Sequence, residues 1–155
     1  MAKMHKMDGK VELNCSAQKI FETLGAKLAQ VPKLCPGVIS QITVQQGDWH
    51  SVGSIHKWDL NMGGKSIYAV GRNDAIDEKT LKINRTIVEG ELLKYYKSLK
   101  LHFQPIPKGN NGKSCVMIFG LEYEKMDEDA PDPTEFFNFV HDVFVKLGHQ
   151  LSVVN

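Results

Sequence analysis

Cysteine is scarce in this sequence and unpaired in pattern. Cys15, Cys35 and Cys115 are far apart, odd in number and form no CxxC. That spacing excludes a disulfide scaffold and a CxxC-type zinc site, and it fits a reducing compartment. Basic tracts are missing too. The formal net charge is +1 with no run of Lys and Arg, so the electrostatic footprint of a nucleic-acid binder is lacking. No apolar run approaches the roughly 20 residues of a membrane-spanning helix. The longest, Cys115 to Leu121, has the length of a buried strand. Met1 to Lys10 holds no apolar core and does not read as a secretory signal. HExxH, GxSxG and fixed His–carboxylate spacings do not occur, so neither a metal nor a cofactor is expected. The expectation is a cytoplasmic protein without membrane insertion or nucleic-acid partner.

The chain has 155 residues, the usual size of one domain, and a chain this long builds its core without a staple. A single ligand-binding domain over residues 1–155 is expected. The hydrophobic share is 42% against 24% charged, a globular balance that argues against disorder. The acidic stretch Glu122 to Asp132 reads as a solvated loop.

Lys10 to Leu13 alternate, so a first strand runs to about Asn14. Ala17, Ile20, Phe21, Leu24 and Leu28 then share one helical face. Gly25 interrupts that face and Pro32 and Pro36 end it, which predicts two short helices. Strands follow at Ile39 to Gln46, Ser54 to Leu60, Ser66 to Ile76, Thr80 to Val88, Leu92 to Gln104 and Ser114 to Glu124. Gly63-Gly64 and Gly109-Asn110-Asn111-Gly112 read as hairpin turns, and the whole as an antiparallel meander. The last segment changes period. Asp132 caps, Pro133 takes the first helical position and Glu135 completes a capping box. The helix runs to about Val153, with Phe136, Phe137, Phe139, Val140, Val143, Phe144, Leu147 and Leu151 on one wide apolar stripe.

Short motifs in register along nearly the whole chain carry a family likeness. They are Gly9-Lys10-Val11-Glu12, Gly47-Asp48-Trp49, Gly53-Ser54-Ile55 with Trp58, and Gly64-Lys65. Glu89-Gly90-Glu91, Tyr96-Lys97-Ser98, Pro107-Lys108-Gly109 and Glu122-Tyr123-Glu124-Lys125 continue the series. On these the sequence resembles the major latex protein group of the birch-pollen-allergen superfamily, which has the START-like helix-grip fold. The resemblance implies an α+β fold: a seven-stranded curved antiparallel sheet around a long C-terminal helix, with two short helices after the first strand. It also implies an internal cavity for apolar or amphipathic molecules. The glycine-rich loop of the better-known allergens is replaced here by Gly47-Asp48-Trp49-His50-Ser51, which speaks against a phosphate cradle. The Ser-Gly-Leu-Pro-Ala gate and His-Arg-Leu latch of the hormone-receptor branch are missing, so a receptor of that type is not expected.

Strand alternation nominates the interior residues. His56 shares a face with Trp58 and Leu60. Tyr68, Val70 and Arg72 are expected together on the next strand, and Leu81, Ile83, Arg85 and Ile87 on the one after. With the cavity that the resemblance implies, Leu24, Leu28, Phe136, Phe139, Val140, Val143 and Leu147 would complete an apolar wall of ligand size, roughly 300 Å³ or more; on the residues alone the helix stripe reads equally as plain core. His56 is either a general base or hydrogen-bond anchor, or a histidine at the cavity mouth satisfied by a neighbour. Tyr68 is either an orienting donor or wall. Arg85, if buried, needs Glu89 or a ligand carboxylate as partner; a parity one residue off would expose it. The function the resemblance implies is binding of a small apolar or amphipathic plant metabolite, of sterol, flavonoid, hormone or alkaloid type, for storage, transport or defence and stress response. A weak homodimer is left open. The alternative is an isomerase or cyclase of specialised metabolism that uses acid–base residues in the same cavity.

Overall fold

The computed structural model describes residues 3–153; Met1, Ala2, Val154 and Asn155, which the single-domain expectation includes, lie outside the described residues. Seven strands form one antiparallel sheet: β1 (Met4–Leu13), β2 (Ile39–Gln46), β3 (Ile55–Met62), β4 (Lys65–Asp77), β5 (Lys82–Gly90), β6 (Tyr96–Lys108) and β7 (Ser114–Lys125). Their spatial order is β1-β7-β6-β5-β4-β3-β2. Every connection from β2 to β7 is a hairpin; only the step from β1 to β2 crosses the sheet. The helices α1 (Ala17–Leu24) and α2 (Val31–Leu34) make that crossing, and α3 (Thr134–Val153) follows β7. This is the expected helix-grip architecture.

Local chemistry explains the boundaries. The Ser16 hydroxyl accepts from the Lys19 amide at 3.1 Å and starts α1; Gly25 ends it. At Gly63 and Gly64, φ is 61° and 78°, the paired positive values a two-residue hairpin requires. The expected capping of α3 by Asp132 does not form. The helix begins at Thr134, and the Asp132 carboxylate instead accepts from the Tyr123 hydroxyl at 2.6 Å and pairs with Lys125 at 3.3 Å. The first strand is longer than its alternation suggested, because β1 pairs with β7 without a bulge from Met4↔Glu124 to Leu13↔Cys115. β6 starts later than expected, since Glu91–Leu93 closes into a 3-10 turn.

Bulges at Val70/Gly71 and Asn73/Ala75 between β4 and β5 add twist and coil to the sheet. Helix α3 lies in the resulting hollow. Phe136, Val140, Val143, Phe144, Leu147 and Leu151 recur at helical spacing and are buried. Phe144 packs on Phe103 and Phe119 at 5.6 and 5.2 Å between ring centroids. Each fully buried Leu or Phe of this set stabilises the fold by about 1.5–3 kcal/mol. No helix among the described residues is long and apolar enough to cross a membrane.

Candidate functional site

Between α3 and the concave sheet face lies a chamber of about 80 Å³ with an almost wholly apolar wall. Trp58, Leu60, Ala69, Gly71, Ile87 and Phe103 come from the sheet, Leu24 from α1, and Phe136, Phe139, Val140, Val143 and Phe144 from α3. Among the described residues, Arg85 is the only ionisable one in the wall. The volume corrects the expectation of about 300 Å³: Trp58, Phe103, Phe136, Phe139 and Phe144 all border the hollow, and their rings narrow it. A second pocket of about 310 Å³ opens on the surface between Met62, Leu92, Tyr95, Pro131 and Glu135. Phe136 is the one residue that borders both spaces, so its ring is the partition between them.

The predicted site residues divide three ways. Trp58, Leu60, Arg85, Ile87, Leu24, Phe136, Phe139, Val140 and Val143 line the chamber. His56, Ile83, Leu28 and Leu147 are fully buried but pack away from it. Tyr68, Val70 and Arg72 are on the wrong face. Across β3 and β4, His56 pairs with Gly71, Trp58 with Ala69 and Leu60 with Ile67, and directly opposed residues share a face. The inner residues of β4 are therefore Ile67, Ala69, Gly71 and Asn73. Tyr68 and Arg72 are exposed, Tyr68 donating to Glu89 at 3.1 Å and Arg72 paired with Asp74 at 2.8 Å. Val70 is buried on the outer face, opposite Lys57 and Glu89. Ile39, Ala69, Gly71, Leu101, Phe103 and Phe144 line the chamber without having been nominated. The alternation of Leu99, Leu101 and Phe103 signalled two of them; Ala69 and Gly71 carried no signal of bulk.

Arg85 is buried, and Glu89 is not its partner. Nε donates to Asn73 Oδ1 at 2.9 Å and Nη2 to the Leu24 carbonyl at 2.5 Å. Leu24 is the last residue of α1, so its carbonyl is one of the orphan acceptors at the negative end of the helix. The guanidinium thus ties β5 to α1. It also lies over the rings of Phe103 and Trp58, 5.4 and 5.7 Å from their centroids. Burial lowers its pKa to about 10, and no carboxylate acts to raise it.

His56 points inward yet is walled off from the chamber. Its Nε2 donates to the Asp48 carbonyl at 2.7 Å, and its ring stacks on Trp49 at 5.7 Å. Burial holds its pKa below the ordinary value. The Asp48 carboxylate accepts from the amides of His50 and Ser51 and from the Ser51 hydroxyl, which folds the β2–β3 loop on itself. These bonds lower the Asp48 pKa, the Ser51 hydroxyl first, and they fill the amides a phosphate would need. His50 then leans edge-on against Phe21, at 5.9 Å, and over Gly25. A Cβ at Gly25 would collide with the His50 ring, so glycine there lets the loop close against the end of α1. Among the described residues no group of His, Cys, Asp and Glu is placed to hold a metal ion.

A long helix gripped by a coiled antiparallel sheet, with a V of short helices closing one end, defines a helix-grip protein. The chain belongs to the Pathogenesis-related protein Bet v 1 family, whose profile matches residues 2–153. It is similar to MLP-like protein 34 of Arabidopsis thaliana, 32% identical over 145 residues and 94% of this chain; it spans 46% of that relative's length. In structure it resembles ginseng major latex-like protein 151 from Panax ginseng, with a TM-score of 0.89 at 25% identity, covering 96% of this chain and 98% of that one. A norcoclaurine synthase point mutant from Thalictrum flavum, solved with a transition state analogue, shares the fold: TM-score 0.73 at 20% identity, over 97% of each chain.

Proposed function

We propose that this chain acts as a single binding domain for a small apolar or amphipathic plant metabolite, held between α3 and the sheet. Storage, transport or a part in defence and stress response follows from such binding, and three buried free cysteines favour the cytoplasm as its place. The observation that carries the reading is the chamber itself: an apolar wall with one charged group, the usual makeup of a small-molecule site. At about 80 Å³ it holds no metabolite of ordinary size until a wall moves. Rotation of Phe136 joins it to the outer pocket, and ligand binding would select that open state. Turnover is disfavoured by the same geometry. His56 is tied to the Asp48 carbonyl, Tyr68 is outside with Glu89, and no acid–base pair remains in the wall.

The test is N-phenyl-1-naphthylamine, a neutral fluorescent probe, titrated into wild type and Gly71→Val. An added Cβ at Gly71 meets only the Thr86 carbonyl, at 3.9 Å, so a side chain can begin there without a backbone clash, and Gly71 lines the chamber that its methyls would enter. The wild type should bind with an affinity insensitive to salt, and the variant should bind at least about tenfold more weakly. Equal binding by both proteins would place the probe elsewhere and refute the reading.

A further inference from the structure

We propose that the ligand of the chamber is a small apolar acid whose carboxylate is received by Nη1 of Arg85; the inference rests on the binding reading above. Arg85 carries five N–H donors in a fixed fork. Nε and one Nη2 hydrogen are taken by Asn73 and the Leu24 carbonyl. Nη1 makes no hydrogen bond among the described residues. Both protein acceptors are neutral, so the cation sits inside the fold with two aromatic faces, one amide oxygen and one helix end around it, and no anion among the described residues pairs with it. Buried charges are ordinarily paired.

The surroundings select the rest of the ligand. Ile87, Phe103 and Val140 offer nothing that a polar body could bond, and beyond the Trp58 indole N–H the wall is hydrocarbon around the cation. The complementary molecule has one anionic end of carboxylate geometry and an apolar remainder. A neutral alcohol of the same length would meet the same wall and accept from Arg85 only weakly. A hydrogen bond to an ionised partner is roughly twice as strong as a neutral one, which makes a preference of about tenfold for the acid the expected minimum.

Octanoate and octanol, each used to displace N-phenyl-1-naphthylamine at pH 7.5, test this. On wild type, octanoate should displace the probe at about one tenth the concentration of octanol or less. In Arg85→Met, checked for folding by circular dichroism, the ratio should fall to about one. The guanidinium ¹⁵N resonances of Arg85 in wild type should shift with octanoate and not with octanol, a readout that holds even if the variant does not fold. Equal displacement by both ligands on wild type would overturn the acid preference while leaving apolar binding intact. A preference that survives in Arg85→Met, or guanidinium resonances that ignore octanoate, would place the anion elsewhere and overturn it too. Displacement by neither ligand also overturns it, and a wild type that does not bind the probe at all refutes the binding reading as well.

Discussion

Truncating Phe136 should cost less stability than its burial suggests and should open the chamber. The residue is 5% exposed, and Phe→Ala in a packed core costs about 3–5 kcal/mol. Its ring, however, already borders empty space on two sides, the chamber and the outer pocket. Fewer neighbours lose contact than at a site such as Phe103, so the loss should fall near the low end, about 3 kcal/mol. At roughly 2–4 °C per kcal/mol for a chain of this size, Tm should drop by about 6–12 °C. With the partition gone the two spaces join, and N-phenyl-1-naphthylamine should associate faster and more tightly with Phe136→Ala than with wild type. Thermal unfolding and stopped-flow fluorescence read the two effects. A stability loss at the top of the range together with an unchanged association rate would show Phe136 to be ordinary core, and the partition argument would be wrong.

Asn73→Ala should destabilise the protein more than Arg85→Met, by chemical denaturation. The first leaves the buried cation with one acceptor and also loses the Asn73 bond to the Ser51 carbonyl at 3.3 Å; the second removes the charge along with its need for a partner. Stability should fall as pH drops through 6.5, the ordinary histidine value. Burial holds folded His56 below it, so the unfolded chain takes the proton first and the stabilisation present at higher pH is lost; His56→Gln should flatten this slope in Tm measured against pH. The thiols should be inert to Ellman's reagent at pH 8 in the folded protein and react after urea. Cys15, Cys35 and Cys115 are all free and buried, burial pushes Cys35 up to about 11, and a hydrogen bond with the Cys115 thiol raises Cys15. Native labelling of any of the three would show a fold looser than described.

The architecture was legible because strong signals agreed. Gly63-Gly64 fixed a hairpin, the alternation of Trp58 and Leu60 fixed the inner face of β3, and the period of Phe136 to Leu151 fixed the face of α3. The face of β4 was not legible. Sequence reasoning ranks faces by bulk, and Tyr68, Val70 and Arg72 outweigh Ile67, Ala69, Gly71 and Asn73. The inner face opposes the Trp58 ring and the α3 phenylalanines, so small residues belong there, and only the cross-strand register reveals it. Arg85 lies inside, one of the two parities its strand left open, and its partner was not legible at all. A helix C-terminus 61 positions away in sequence supplies its acceptor, a long-range contact that no local pattern encodes. Cavity size was the least legible quantity of all. An apolar stripe looks the same whether its rings line a void or fill it.

The most direct test of the account is a ¹H–¹⁵N and methyl NMR titration of the wild type with N-phenyl-1-naphthylamine. Shifts should concentrate on Trp58, Ala69, Gly71, Ile87, Val140 and Val143. Shifts confined to the outer face of the sheet, where Asp8, Lys100 and His102 line a polar pocket of about 540 Å³, would contradict binding between α3 and the sheet.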